Sequence, residues 1–295
     1  MRRILLTGAT GQLGYELMQV LSLLGEVLAL NRHELDLAEP LSVRQVIRQF
    51  KPDWVINAAA YMAVEAAQKE AQRVLAINTQ APVLMAEELR KTKGVLVHFT
   101  TGYVFDGTKS EAYEETDRPN PVNAYGLSQW QAEQGIEAAG GDYLIFRTGW
   151  RYSLRRTNFV VGMKNRLSRE EEIQVVDDQI GNPTWVKQVA SALLILLSRE
   201  GLETGYIACK KGLYHLASSG KTSWFGLAQA VSDCLEQQGR TRLARLKPVT
   251  TLEQGLSVLR PLNSTLSSLK FEQAFGFGLP DWRLALLQCL QGTDE

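Results

Sequence analysis

The chain has 295 residues, 45% of them hydrophobic, and its 32 Lys and Arg are matched by 32 Asp and Glu, so it carries no formal net charge. That length exceeds the usual single domain and predicts one large α/β unit with a smaller appended lobe. The charge balance offers no footprint for nucleic acid or an anionic membrane, which leaves a small-molecule ligand as the expected partner. The three cysteines, Cys209, Cys234 and Cys289, and the three histidines, His33, His98 and His215, are too scattered for a disulfide framework or a zinc site. No segment reaches the ~18–20 apolar residues of a membrane span, and MRRILLTGATG runs straight into a strand. A soluble protein of the reducing cytoplasm is expected.

The first predicted strand, Arg3 to Thr7, is followed at once by Gly8-Ala-Thr-Gly11-Gln-Leu-Gly14 and a helical pattern from Tyr15 to Leu24. Strand, glycine loop and helix in that order form the dinucleotide-binding context. Gly8 permits the tight turn, Gly11 lets the backbone approach a pyrophosphate, and Gly14 allows helix and strand to pack closely; Thr10, Gln12 and Leu13 belong to the same loop. The free N–H groups at the helix start then face the phosphate oxygens.

Val27 to Leu30 is the second strand and ends in Asn31-Arg32. An NAD-selective site has a carboxylate there for the ribose hydroxyls, whereas a cation favours a 2′-phosphate, so NADP(H) is expected with NAD(H) as the alternative. Asp36-Leu37 follows before a helix near Ser42 and is placed at the adenine edge. A third strand, Asp53 to Asn57, leads into Ala58, Ala59, Ala60 and Tyr61, small enough at first to lie against a flat cofactor. One long helix is expected from about Val64 to Leu89, carrying Asn78 toward the same cofactor.

The fourth strand, Val95 to Thr100, delivers the hydroxyls of Thr100 and Thr101 to the carboxyl end of the sheet. Asp106 to Asn123 is a polar loop stiffened by Pro119 and Pro121. Tyr125 and Gln129 stand four apart and share a face if helical. Asp142 to Thr148 is the fifth strand. Farther on come an amphipathic stretch Phe159 to Ser168, a strand Ile173 to Val176, a turn Asp178 to Thr184, a helix Val186 to Ser198, a strand Tyr214 to Ala217 and a helix Trp224 to Gln237. The expected organisation is therefore an α/β, Rossmann-type doubly wound parallel sheet over residues 1–150, and a smaller substrate lobe over 151–295 with returns to the first sheet.

GATGQLG at 8–14, ELDL at 34–37, NAAAY at 57–61, TTGYVFDG at the end of the fourth strand, YG at 125–126, FRTGW at 146–150, DDQIGNPT at 177–184, RPLNS at 260–264 and LPDW at 279–282 are each weak motifs. Taken in order they resemble the dTDP-4-dehydrorhamnose reductase family of the extended short-chain dehydrogenase/reductases, over nearly the whole chain. The resemblance implies reduction of the C4 ketone of dTDP-6-deoxy-L-lyxo-4-hexulose to give dTDP-L-rhamnose, with a dTDP-sugar as partner and a homodimer as the assembly. It also implies catalytic roles for Thr101, which polarises the ketone, and Tyr125, which donates the proton. A phenol of ordinary pKa about 10 needs a nearby cation to work at neutral pH.

In the family pattern that cation is a lysine four residues after the tyrosine; here it is Gln129, with no Lys or Arg between Arg118 and Arg147. Gly102 stands at a family Asp, Met62 at a Thr, Glu65 at an Asp and Gln68 at a Glu. Glu16 matches one acidic position through which some members bind a divalent ion, but Lys187 replaces another, so no metal is expected. Two readings follow, a reductase impaired by its missing charge and a non-catalytic nucleotide-binding or regulatory protein on the same fold. A reductase or epimerase of another nucleotide sugar is a third.

Overall fold

The computed structural model describes residues 2–203 and 205–292. Six strands, β1 (Arg2–Thr7), β2 (Gly25–Leu30), β3 (Trp54–Asn57), β4 (Val95–Thr101), β5 (Asp142–Thr148) and β6 (Gly212–His215), form the central sheet in the order β6-β5-β4-β3-β1-β2. Every pairing in it is parallel. Such strands must be apolar on both faces, and Ile4-Leu5-Leu6, Trp54-Val55-Ile56 and Leu96-Val97 are buried throughout.

Alternation along the strands feeds two cores. Ile4, Leu6, Ile56, Val97 and Phe99 face α1 (Gln12–Leu21) and α5 (Val186–Leu202), while Leu5, Val55, Leu96 and Ile145 face α2 (Pro40–Phe50), α3 (Ala81–Thr92) and α4 (Ala124–Ala139). The expected doubly wound α/β fold is what the chain adopts. Strand order reverses between β1 and β3, and this opens a crevice at the carboxyl ends of the strands.

A third core gathers Tyr152, Val160, Met163, Leu167, Ile173, Leu227, Val231, Leu235, Trp282 and Leu286. Its elements include the parallel pair Glu172–Val176 with Arg245–Val249 and the helices Phe159–Leu167, Trp224–Gln237 and Trp282–Gln291. The chain beyond residue 150 also returns to the first sheet, through α5, β6 and the helix Leu269–Phe275.

Two expectations change in detail. The single helix from Val64 to Leu89 is instead Val64–Ala67, Ala71–Leu75, a π turn Ala76–Gln80 and α3. Pro82 has no N–H to bond the Asn78 carbonyl, so an α-helical ladder cannot run through this point. The turn from Asp178 to Thr184 contains two short strands, Ile180–Gly181 paired with Thr222–Ser223 and Pro183–Trp185 paired with Trp150–Tyr152. These pairings are long-range, so local turn signals could not reveal them.

Candidate active site

The glycine loop is held by backbone approach. Gly8 has φ +70°, and a Cβ at Gly14 would lie 2.1 Å from the Gly8 carbonyl oxygen, a distance no side chain tolerates. Gly11 occupies the N-cap of α1 with no side-chain cap, so the first amides of the helix point free into the crevice. The crevice is a cleft of about 1180 Å³. Its walls hold Gly8, Thr10, Gly11, Gln12 and Leu13 from the loop, Asn31, Arg32, Asp36 and Leu37 after β2, and Ala58, Ala59, Ala60 and Tyr61 after β3.

Beneath the loop lies a polar relay that joins three strands. Thr7 Oγ1 donates to Asn57 Oδ1 at 2.6 Å, the Ala59 N–H donates to the same oxygen at 3.3 Å, and Asn57 Nδ2 meets His98 Nδ1 at 3.1 Å. Burial, helped by the charge of Arg151, pushes the His98 imidazole down to about 3. His98 is thus a neutral brace for the β3–β4 edge at physiological pH.

Three predicted residues stand behind the cleft wall. Gly14 packs α1 onto the loop. Asn78, freed by the π turn, accepts the Tyr61 N–H at 2.7 Å and donates to the Tyr61 carbonyl at 3.0 Å and to Ser128 Oγ at 3.0 Å. Its role is to fix Tyr61 against α4. Thr100 is buried and donates to Glu133 Oε1 at 2.6 Å, turned away from the cleft.

Glu133 is the hub of a buried clamp. It takes Arg147 through Nε at 3.0 Å and Nη2 at 2.6 Å, and Arg147 Nη1 in turn lies 3.3 Å from His215 Nε2. Strands β4, β5 and β6 are thereby fastened to α4, the helix that carries Tyr125 and Gln129. Thr101 closes β4 and accepts the Tyr103 N–H at 3.2 Å, which starts the short turn Gly102–Val104. A Cβ at Gly126 would meet the Tyr103 carbonyl oxygen at 2.1 Å. The glycine therefore brings the start of α4 directly onto that turn, and with it Tyr125 onto Tyr103: the two rings sit edge to face with centroids 6.0 Å apart.

Tyr125 is 7% exposed and Gln129 only 1%. Neither amide atom of Gln129 has a hydrogen-bond partner among the described residues. A buried amide left open on both sides is uncommon, and Thr101, Tyr125 and Gln129 are not among the residues that line the cleft.

The RmlD substrate binding domain family model matches residues 1–294. The chain belongs to that family. A dTDP-4-dehydrorhamnose reductase of Burkholderia thailandensis is 40% identical over 98% of each chain. The spore coat polysaccharide biosynthesis protein SpsK of Bacillus subtilis is 36% identical over 99% of this chain and 98% of its own. Among solved structures, the dTDP-4-dehydrorhamnose reductase of Bacillus anthracis, crystallised in complex with NADP, superposes with a TM-score of 0.90, 30% identity and 99% coverage of each chain. The kinship expected from the ordered motifs is borne out.

The RmlD-family cleft also contains side chains that no motif singled out. Arg73 reaches within 3.8 Å of the Asp36 carboxylate, Arg151 Nη2 lies 3.1 Å from Met62 Sδ, and His33, Glu70 and Arg156 complete the polar wall. Arg151 and Arg156 come from beyond the first sheet's fifth strand, and only the folded chain brings them to the nucleotide side.

Proposed function

We propose that this chain reduces the C4 ketone of a dTDP-4-keto-6-deoxy sugar with NADPH, the product being dTDP-L-rhamnose, and that it does so slowly. The observation that carries this reading is the glycine-loop cleft in a chain whose relatives bear the name of that reductase, supported by the Tyr103 turn, which bonds the strand-end Thr101 and meets the helix-borne Tyr125. Residues 1–150 bind the cofactor in this reading, and the lobe beyond them receives the sugar.

The residues present fit the cofactor. The loop admits a pyrophosphate because Gly8, Gly11 and Gly14 leave bare backbone there, Arg32 offers a 2′-phosphate a cation, and Ala58 to Ala60 leave room for the flat rings. NADPH, when bound, supplies the hydride. If the ribose reaches position 129, Gln129 would hold its hydroxyls through the two amide atoms that are open in the structure. Thr101 donates to the ketone oxygen, and Tyr125 transfers its proton to that oxygen as negative charge builds there.

The amide at 129 positions but does not charge. An ammonium worth two pKa units to the phenol corresponds to roughly 2.7 kcal/mol, about a hundredfold in the phenolate population and at most that in rate. Competence is tested by incubating the purified protein with NADPH and the dTDP-4-keto sugar while following nicotinamide absorbance and product, with Tyr125→Phe as the control. Slow turnover abolished by the control is the expected result. Absence of turnover at high protein concentration, with NADPH still bound, overturns the reductase reading. That outcome favours the second one, a nucleotide-binding protein without catalysis, whose supporting observation is the same uncharged Gln129.

A further inference from the structure

The cleft has a second wall that does not come from the central sheet. Residues 153–158 leave the short strand Trp150–Tyr152, pass over the start of α1 and end at Asn158, the cap of the helix Phe159–Leu167. This strap is fastened to the glycine loop at one oxygen: Ser153 Oγ lies 2.9 Å from Gln12 Oε1, and Asn158 Nδ2 donates to the same oxygen at 3.0 Å. Between those two residues the Arg155 guanidinium stands 3.4 Å from the centroid of the Tyr15 ring, a cation–π contact on the first turn of α1. At the root of the strap Arg151, in register with Thr184, reaches across to Met62 after β3, with Nη2 3.1 Å from Sδ. The strap and its root therefore touch both the glycine loop and the segment after β3.

What this wall brings into the cleft is charge. Arg151 and Arg156 line it together with Arg32 and Arg73, so four arginines face two carboxylates, Asp36 and Glu70. Asp36 has Arg73 beside it, and Glu70 accepts the Tyr61 hydroxyl. Arg151 has a thioether for a partner, a weak acceptor, and Arg156 is exposed with no carboxylate paired to it among the described residues. An excess of two positive charges, four less two, thus gathers at one cleft of a chain whose net charge is zero. Such a concentration of one sign in a concave site favours an anion. Arg156 is also held in place: its φ is +60°, and Asn158 Nδ2 donates to its carbonyl at 3.2 Å and to that of Ser153 at 2.8 Å.

We propose that the strap is the second half of a phosphate site, in which Arg156 holds the cofactor's diphosphate from the lobe's side of the cleft while the free amides of α1 hold it from the sheet's side, and Gln12 is the staple that keeps the strap there. The anchors decide which anion. Gln12 and Tyr15 both belong to the first turn of the helix whose bare amides open into the crevice, whereas Arg73 stands by Asp36, away from that turn in sequence and on the adenosine side of the cleft. A diphosphate bridge carries its charge in every dinucleotide, so Arg156 serves NADPH and NADH alike, and the choice between them is left to Arg32. The inference rests on the cofactor cleft of the reductase reading and needs no turnover.

The test is calorimetric titration of the full chain with NADPH, NADH, ADP-ribose, adenosine 2′-phosphate and dTDP. Arg156→Gln is expected to weaken NADPH, NADH and ADP-ribose, which share the diphosphate bridge, by one common factor of about three to ten at low salt, and by less as salt is raised. Adenosine 2′-phosphate, which lacks the bridge, is expected to bind as before, and Arg156→Lys to keep most of the affinity. Gln12→Ala is expected to cost a similar factor, and the double variant little more than either change alone, because the guanidinium counts only while the staple holds it. An NADPH affinity unchanged in Arg156→Gln overturns the proposal. So does an equal loss for adenosine 2′-phosphate, which would place the guanidinium at the 2′-phosphate, and so does a loss confined to dTDP, which would assign it to the sugar nucleotide. Fully additive losses in the double variant overturn the role of Gln12. A wild type that binds NADPH without reducing the dTDP-4-keto sugar sinks the reductase reading alone, whereas equal NADPH affinities in wild type and Arg156→Gln sink this inference alone.

Discussion

The two ends of the candidate site are held by different means. At the nucleotide end, backbone meets backbone: Gly14 packs on the Gly8 carbonyl and Gly8 turns back toward Ala58 and Ala59, where an added Cβ would lie 2.8 Å from the Ala59 nitrogen. At the Thr101–Tyr125 end, position depends on side chains. The Glu133–Arg147 clamp sets α4 on the sheet, Asn123 ties the helix start to Leu259, and Arg260 bridges Glu65 and Tyr103. A backbone-built end admits almost no change of residue. A side-chain-built end can exchange one member for another while its frame stands, and the departures at 65, 68, 102 and 129 fall on that side, whereas Met62 lines the cleft.

Four substitutions put this contrast to the test. Removing the hub of the side-chain end by Glu133→Ala leaves Arg147 charged and buried with only a neutral histidine beside it. A loss of about 3–5 kcal/mol is expected for such an orphaned charge, read as a lowered denaturant midpoint. His215 gives no relief, since burial and then Arg147 push its imidazole down to about 3 and keep it neutral.

Gly14→Ala attacks the other end. Its Cβ would overlap the Gly8 carbonyl, so the loop or helix must shift, at a cost of about 3 kcal/mol in stability. NADPH titration by fluorescence is expected to show a correspondingly weakened site, and an unaltered affinity would mean that the loop is softer than its geometry implies.

Gln129→Lys asks whether charge is all that the side-chain end lacks. In the wild-type background kcat is expected to rise, with about a hundredfold as the ceiling that two pKa units allow. A fall would mean that the buried pocket at 129 cannot solvate an ammonium.

The smallest effect belongs to Arg32→Ala. Losing one charge-assisted contact to a 2′-phosphate is worth about 1.5–3 kcal/mol. The ratio of NADPH to NADH affinity should therefore drop by about tenfold or more, less if Arg73, held near Asp36, reaches the same phosphate. Equal affinities in wild type would remove Arg32 from this role.

The nucleotide end was legible because its requirements are local. A strand, three glycines at fixed spacing and a helix are adjacent in sequence, and parallel strands buried on both faces announce themselves as unbroken apolar runs. The same holds for the Tyr125–Gln129 pair, four apart on one helix. The boundaries that slipped did so where distant contacts or a missing N–H overrode local periodicity, as at Pro82 and in the short strands around Gly181.

Local sequence was therefore enough for the sheet, the family, the glycine loop and the fact that no lysine stands at 129. It could not say what surrounds that position, because the answer lies in residues far away along the chain. Glu133 and Arg147 are joined only when β5 and α4 are packed together. Arg260 lies 131 residues beyond Gln129 in the numbering, 260 less 129, yet its Cζ stands 5.9 Å from the Tyr103 ring, in a segment that rests closely on Gly102 and Gly107. Electrostatics depends on distance in space, and at this site only the tertiary structure sets that distance.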